Sequence, residues 1–310
     1  MLRPDPAAGR SGMPGLLLVH AHPDDESFAT GGLIARAVAE GHRLDLVTCT
    51  GGEEGEIHDP TLDYEEAFPR LQAIRLTELR CSLDALRGPY PGELALHLLG
   101  YRDSGMMGTP SNERAESFWK SDLDEATGRL VAILREVRPS VMVTYDPNGN
   151  YGHPDHINAH RIAAAAWDAA ADPARYPDAG VPHEVDKFYE IAFNRDRWFA
   201  LMGEMTERGI PLPWDFGTDE AADAAAAEEA AEFGVAEDAI TTVVDVSGQA
   251  RAKRASMDCH KTQRQDMGWL LDLPDDLAAR AISPEHFMLT RWRGHDIGPD
   301  LRESWVFEGL

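Results

Sequence analysis

The sequence predicts an α/β fold: a doubly wound, mostly parallel, Rossmann-like sheet, with a smaller C-terminal α/β portion completing a ligand crevice. Three observations carry this expectation. Short apolar runs alternate with stretches of helical apolar spacing, the signature of βαβ units. Two of those runs end in histidine and aspartate clusters around a proline, where a parallel sheet opens its crevice. No apolar run approaches the ~18 residues of a membrane span.

The elements follow in order. Residues 16–20 are the first strand. Residues 33–40 carry apolar side chains at helical spacing and stop at Gly41. Residues 44–48 are the second strand, and 71–86 form a longer helix ending before Gly88 and Pro89. Strand 94–99, helix 123–137 ended by Pro139, strand 141–145, alanine-rich helix 157–171 and strand 188–193 complete the alternation, with right-handed crossovers expected throughout. Residues 217–239 are alanine-rich and acidic, without Lys or Arg, and read as a solvated helix or excursion. Residues 240–246 read as a strand and 249–265 as a helix carrying His260. Residues 266–310, with scattered aromatics and prolines, read as a cap or an interface. Residues 1–13 form a loose tail lacking the apolar stretch of a signal peptide, and Met13 is an alternative start; 14–310 reads as one domain.

The net charge of −25, from 54 acidic and 29 basic residues, repels nucleic acid and anionic membranes and leaves a small molecule as the expected partner. A homo-oligomer is compatible with this composition. Cys49, Cys81 and Cys259 are odd in number and far apart, so they are expected to be reduced, in a cytoplasmic protein.

The two clusters are His20-Ala21-His22-Pro23-Asp24-Asp25-Glu26 and Tyr151-Gly152-His153-Pro154-Asp155-His156. Pro23 and Pro154 suit the first helical position, which puts His22 and His153 near N-caps and Asp24, Asp25, Asp155 and His156 in first turns. Two imidazoles and a carboxylate bind Zn²⁺, with Fe²⁺ the alternative ion, and leave a position for a water whose pKa falls towards ~7. Asp24 and Asp25 point different ways, so one ligates and the other accepts a proton; spacing does not say which. His20, deeper in the apolar run, is expected behind the ligands. Asp155 also suits plain helix capping, and Tyr151 a packed aromatic. In the loop Gly51-Gly52-Glu53-Glu54-Gly55-Glu56, Glu54 is a candidate acceptor for hydroxyls, and Arg102-Asp103-Ser104-Gly105-Met106 offers Arg and Asp at the same sheet edge. Neither matches a nucleotide fingerprint. His260 is a candidate to point back into the crevice.

The run His22-Pro23-Asp24-Asp25-Glu26, with His153-Pro154-Asp155-His156, resembles the LmbE-like, or PIG-L, superfamily of zinc-dependent N-acetylglucosaminide deacetylases, over residues 15–265 or so. Val19 to Ser27, Thr144-Tyr145-Asp146-Pro147-Asn148-Gly149 and the Arg102 run resemble its branch that deacetylates a GlcNAc–inositol pseudodisaccharide in mycothiol biosynthesis. The resemblance implies His22, Asp25 and His156 as metal ligands and Asp24 as general base. It implies that His153 stabilises the oxyanion or protonates the amine, with Asp155 orienting it and a mobile Tyr151 contacting the oxyanion. Arg75 and Asp103 would grip sugar or inositol hydroxyls, and His260-Lys261-Thr262-Gln263 matches a C-terminal element of the family. The implied reaction is hydrolysis of an acetamide to acetate and a free amine. Ala29 stands where thiol-conjugate amidases of the family carry lysine, which favours the deacetylase over that activity. A deacetylase of GlcNAc–malate or of an antibiotic precursor is a further alternative. A sugar- or metal-binding protein is the non-enzymatic one, and Asp24, which binding alone does not need, argues against it.

Overall fold

The computed structural model describes residues 12–212 and 234–310. The expectations for the N-terminal tail up to residue 11 and for the acidic segment up to residue 233 lie outside the described residues. Seven strands form one sheet: β1 (Leu16–His20), β2 (Leu44–Thr50), β3 (Leu94–Tyr101), β4 (Val141–Thr144), β5 (Lys187–Ala192), β6 (Thr242–Val244) and β7 (Glu285–Trp292). Their order is β3-β2-β1-β4-β5-β7-β6. β1 to β5 pair in parallel, and β7 runs antiparallel to both β5 and β6. The helices are α1 (Asp25–Ala29), α2 (Gly31–Glu40), α3 (Tyr64–Ala67), α4 (Leu71–Arg87), α5 (Leu123–Val137), α6 (Gly149–Gly152), α7 (Pro154–Ala169), α8 (Arg195–Glu207), α9 (Ala250–Cys259), α10 (Arg264–Asp272) and α11 (Asp275–Ile282).

The mostly apolar character of β1, β2 and β4 has a direct cause. All their residues are buried, because helices cover both faces of the sheet. α2, α4 and α9 pack together in one layer, and α5 packs with α7 in another. β1 pairs with β2 on one side and β4 on the other, so the strand order reverses between β1 and β4. The loops leaving these two strands open a crevice at that reversal.

Three expectations are corrected. First, within residues 266–310, expected to form a cap or an interface, Glu285–Trp292 form β7 inside the main sheet, between β5 and β6. Its buried Glu285 disguises the strand. The Glu285 carboxylate accepts from the backbone N–H groups of Gly32 (2.8 Å) and Leu33 (2.7 Å) at the start of α2 and pairs with Lys253 at 2.6 Å. Second, the helix expected over 249–265 stops at Cys259, because His260 leaves helical geometry with φ −83° and ψ 68°. Third, Cys81 and Cys259 form a disulfide across 178 residues, with Cα atoms 5.7 Å apart. α4 and α9 pack side by side, which brings together cysteines that the sequence separates. Only Cys49 is free, and it is buried. The cysteines therefore no longer argue for a reducing compartment. No described helix is long and apolar enough to cross a membrane.

Candidate metal centre and active site

The β1 loop delivers His22, Asp24 and Asp25. Pro23 is not the first helical residue as expected; α1 begins at Asp25 with Asp24 as its N-cap. Asp24 sits at φ +125°, a conformation that costs a non-glycine residue about 1–3 kcal/mol and that clusters at functional sites. Asp25 turns inward. Its Oδ2 accepts from the His22 backbone N–H at 2.7 Å and from the Tyr145 hydroxyl at 2.6 Å, which leaves Oδ1 free to face the crevice.

The β4 loop delivers His153 and His156. Gly149, at φ +66°, lies against His156, where a Cβ would collide with the imidazole-bearing side chain. His153 is the N-cap of α7, with Pro154 at the first helical position, and its Nδ1 accepts the Asp155 N–H at 3.1 Å. The neutral ring therefore carries its hydrogen on Nε2. His156, one turn in, stacks on Tyr145 with centroids 4.1 Å apart.

These loops bring three donors together. His22 Nδ1 lies 3.3 Å from His156 Nε2, Asp25 Oδ1 is 3.4 Å from His156 Nε2, and Asp25 Oδ2 is 3.6 Å from His22 Nδ1. Ligands bound tetrahedrally at about 2.0–2.1 Å stand ~3.3–3.4 Å apart, so these residues fit a Zn²⁺-sized ion. Two triplets have single donor atoms all within 4.8 Å of one another, and neither includes Asp25: His22, His153 and His156, and His22, Asp103 and Asp155. The hydrogen bonds favour the Asp25 set. His153 carries its hydrogen on the free nitrogen, and both Asp155 oxygens are occupied: Oδ1 accepts the Ser104 hydroxyl, and Oδ2 accepts the Ser104 N–H at 2.9 Å and faces His22 Nε2 at 3.2 Å. With its hydrogen directed at Asp155, His22 presents the Nδ1 lone pair to an ion.

The electrostatics agree. Burial opposes a charge on His22, but Asp103, Asp155 and Asp25 outweigh it and raise its pKa well above the usual value. A cation bound at Nδ1 would meet the same carboxylates that favour positive charge on this ring. Burial would raise Asp25, yet His156, His22 and His20 hold it well below the carboxylate range. Burial lowers His156 to about 4 and His153 to about 3, so both are neutral. Burial pushes Asp24 up to about 7, against the pull of Arg75.

Several other residues stand elsewhere than the family resemblance implies. The Asp155 carboxylate holds His22 and Ser104, while only its backbone N–H meets His153. Arg75 is within electrostatic reach of Asp103 but is not exposed at a rim. It is buried beneath the glycine-rich loop, bonded to Pro23 O (2.7 Å), Gly52 O (2.9 Å) and Asp24 Oδ2 (2.9 Å). A Cβ at Gly52 or Gly55 would collide with its guanidinium, which is why the loop is built of glycine there. Asp103 is buried, accepting from Gly105 N–H at 2.8 Å, with His22 Nε2 3.6 Å away. Glu54 is occupied by Arg102 (2.6 Å) and Arg114 (2.5 Å). His260 has no exposure at all and bonds Glu26 Oε1 at 2.8 Å, so it lies behind the Asp24 loop and not in the crevice. His20 is buried on Thr30 Oγ1 (2.9 Å) and the Tyr145 hydroxyl (3.3 Å). Tyr151 stands 54% exposed at the mouth, its ring 5.0 Å from His156 and 6.2 Å from His153. Sequence reasoning assigned no part to Tyr145, Ser104 or Glu26. The hydroxyl of Tyr145, at the end of a strand already placed beside the site, was the one available signal.

A converging donor set beside a carboxylate it does not need, at the strand-order reversal of a doubly wound sheet, is the architecture of a metal-dependent hydrolase. Residues 17–167 match the family described as PIG-L: GlcNAc-PI de-N-acetylase. The 1D-myo-inositol 2-acetamido-2-deoxy-alpha-D-glucopyranoside deacetylase of Geodermatophilus obscurus is 43% identical over 301 residues, covering 95% of this chain and 97% of that protein. The enzyme of the same name from Streptomyces avermitilis is 44% identical over 306 residues, covering 95% and 97%. With that similarity along nearly its whole length, the chain belongs to the PIG-L family of deacetylases. Its fold is also that of the N,N'-diacetylchitobiose deacetylase from Pyrococcus horikoshii, with a TM-score of 0.57 at 17% identity over 89% of this chain and 84% of that one.

Proposed function

We propose that this chain hydrolyses the acetamide of 1D-myo-inositol 2-acetamido-2-deoxy-alpha-D-glucopyranoside, releasing acetate and the free amine, with Zn²⁺ held by His22, Asp25 and His156. The observation that carries the reading is Asp24, a part-buried carboxylate within electrostatic reach of Asp25 and His22 and not needed to hold an ion. When bound, the ion supplies Lewis-acid polarisation of the acetamide oxygen and of water. Asp24, with its pKa near neutral, takes a proton as the water oxygen attacks the carbonyl carbon. It returns that proton to the nitrogen as the C–N bond breaks. His153, neutral and carrying its hydrogen on Nε2, donates to the developing oxyanion, and Tyr151 adds a hydroxyl from the mouth.

The test is primary-amine release from GlcNAc, GlcNAc–inositol, GlcNAc–malate and a thiol conjugate, with and without chelator. GlcNAc–inositol is expected to exceed the thiol conjugate in kcat/KM by roughly 10- to 100-fold, the range that a few matched polar contacts provide. The Ala29→Lys variant, which restores the amidase-type cation, should narrow the ratio. Chelator-resistant turnover, or faster cleavage of the thiol conjugate, overturns the assignment.

A further inference from the structure

The geometry points to Glu26 and His260 as positioning residues for Asp24: a buried clamp that holds the proposed base in its strained backbone conformation. The proposal rests on the deacetylase reading for its kinetic arm and stands apart from it for its structural one.

The Asp24 backbone is gripped at both ends. Its N–H donates to Glu26 Oε2 at 2.9 Å. Its carbonyl accepts from the Ser27 N–H at 2.9 Å and the Ser27 hydroxyl at 2.8 Å. Glu26 is fully buried, and its other oxygen, Oε1, is fixed by His260 Nε2 at 2.8 Å and by the Ser82 hydroxyl at 2.5 Å. Ser82 in turn meets Ser256 at 2.6 Å. A buried carboxylate with this many partners has no rotameric freedom, so the orientation of Oε2 is set by groups on α4 and at the end of α9.

The disulfide reinforces the same clamp. Cys81 precedes Ser82 and Cys259 precedes His260, so the bond ties together the two elements that supply the donors. The rest of the His260-Lys261-Thr262-Gln263 element is anchored as well. Thr262 is bonded to Glu78 on α4 through its N–H (2.9 Å) and its hydroxyl (2.6 Å), and Gln263 donates to Glu56 O in the glycine-rich loop at 2.8 Å. None of these hydrogen bonds goes to His22, Asp25 or His156. The clamp acts through the angle at which Asp24 presents its carboxylate, and a displacement of about 1 Å at a reacting group costs on the order of 10²-fold in rate.

The experiment compares His260→Leu, which removes the donor, with His260→Gln, whose amide N–H restores one. The readouts are kcat and KM, metal content, and hydrogen exchange of the Asp24 amide followed by NMR. His260→Leu should lower kcat by about 10- to 100-fold with KM within roughly 2-fold, retain metal, and lose protection at the Asp24 N–H. His260→Gln should recover most of both kcat and protection. If His260→Leu does not fold, Ser82→Ala removes the second donor from the same oxygen and carries the test. An unchanged Asp24 amide, a Gln variant as impaired as Leu, or a loss that tracks metal content overturns the clamp. Wild-type protein that fails to deacetylate the substrate refutes the functional reading instead, and amide exchange still decides the clamp.

Discussion

Replacing Asp155 tests the metal centre from behind. Asp155 is fully buried and touches no expected reacting atom, yet it accepts from the Ser104 N–H and hydroxyl and from His22 Nε2. In Asp155→Ala the Ser104 hydroxyl can rotate, but the Ser104 N–H and the His22 N–H lose their acceptor. Each unsatisfied buried donor costs about 1–3 kcal/mol, so about 2–6 kcal/mol is the ceiling before water refills the space. His22 also becomes free to move its hydrogen to Nδ1, removing the lone pair the ion needs. Loss of such an outer carboxylate costs about 10- to 100-fold in metal affinity, which is ~1.4–2.7 kcal/mol. Asp155→Asn should behave differently. With its oxygen in the place of Oδ2 it still accepts from Ser104 and His22, while its NH₂ faces the Ser104 hydroxyl, so metal affinity should fall by less than about 10-fold. The assay is Zn²⁺ competition against a chromophoric chelator, with thermal unfolding of the metal-free proteins alongside. Wild-type affinity in Asp155→Ala refutes the orienting role. An Asn variant as defective as Ala would mean that Asp155 is itself a ligand, as the alternative grouping of His22, Asp103 and Asp155 requires.

Asp24→Ala should keep the metal and lose on the order of 10²-fold or more in kcat; loss of metal instead would exchange its role with that of Asp25. His286, lowered to about 4 by burial and by the Arg197 and Lys253 charges, gives a pH signature. Below its unfolded value of 6.5 the unfolded chain takes up a proton that the folded chain refuses. Its contribution is therefore fully present above 6.5 and is lost as pH falls towards about 4, by up to ~3 kcal/mol. Denaturant titrations at stepped pH should show that slope in wild type and not in His286→Gln. Reduction of the Cys81–Cys259 bond by dithiothreitol, or Cys81→Ser, should cost about 2–4 kcal/mol and lower Tm, because the closed loop is long. An unchanged Tm in the reduced protein would remove the bond as a stabilising element.

Much of the frame was legible in the residues. β1 and β4 could be placed because a strand covered on both faces is apolar nearly along its length, and β2, β3 and β5 because turn residues bound their mostly apolar runs. The two half-sites were legible because histidine and aspartate immediately after such strands have no packing reason to be there together. β7 escaped because its first inward residue is Glu285, whose burial depends on Lys253 and on the start of α2, both far away in sequence.

Local pattern thus determined the layers, the strand ends and the residue types available at the crevice. Tertiary structure alone decided which atoms meet. It put Arg75 under Asp24 and not at the rim, turned the Asp155 carboxylate to His22 and not to His153, and sank His260 behind Glu26. It also joined two cysteines that spacing had kept apart. The reason is physical. Apolar periodicity is a property of one segment, set by which of its faces is buried. A hydrogen bond or an ion pair depends on angstrom-scale placement of two segments, and nothing in either one alone specifies its partner.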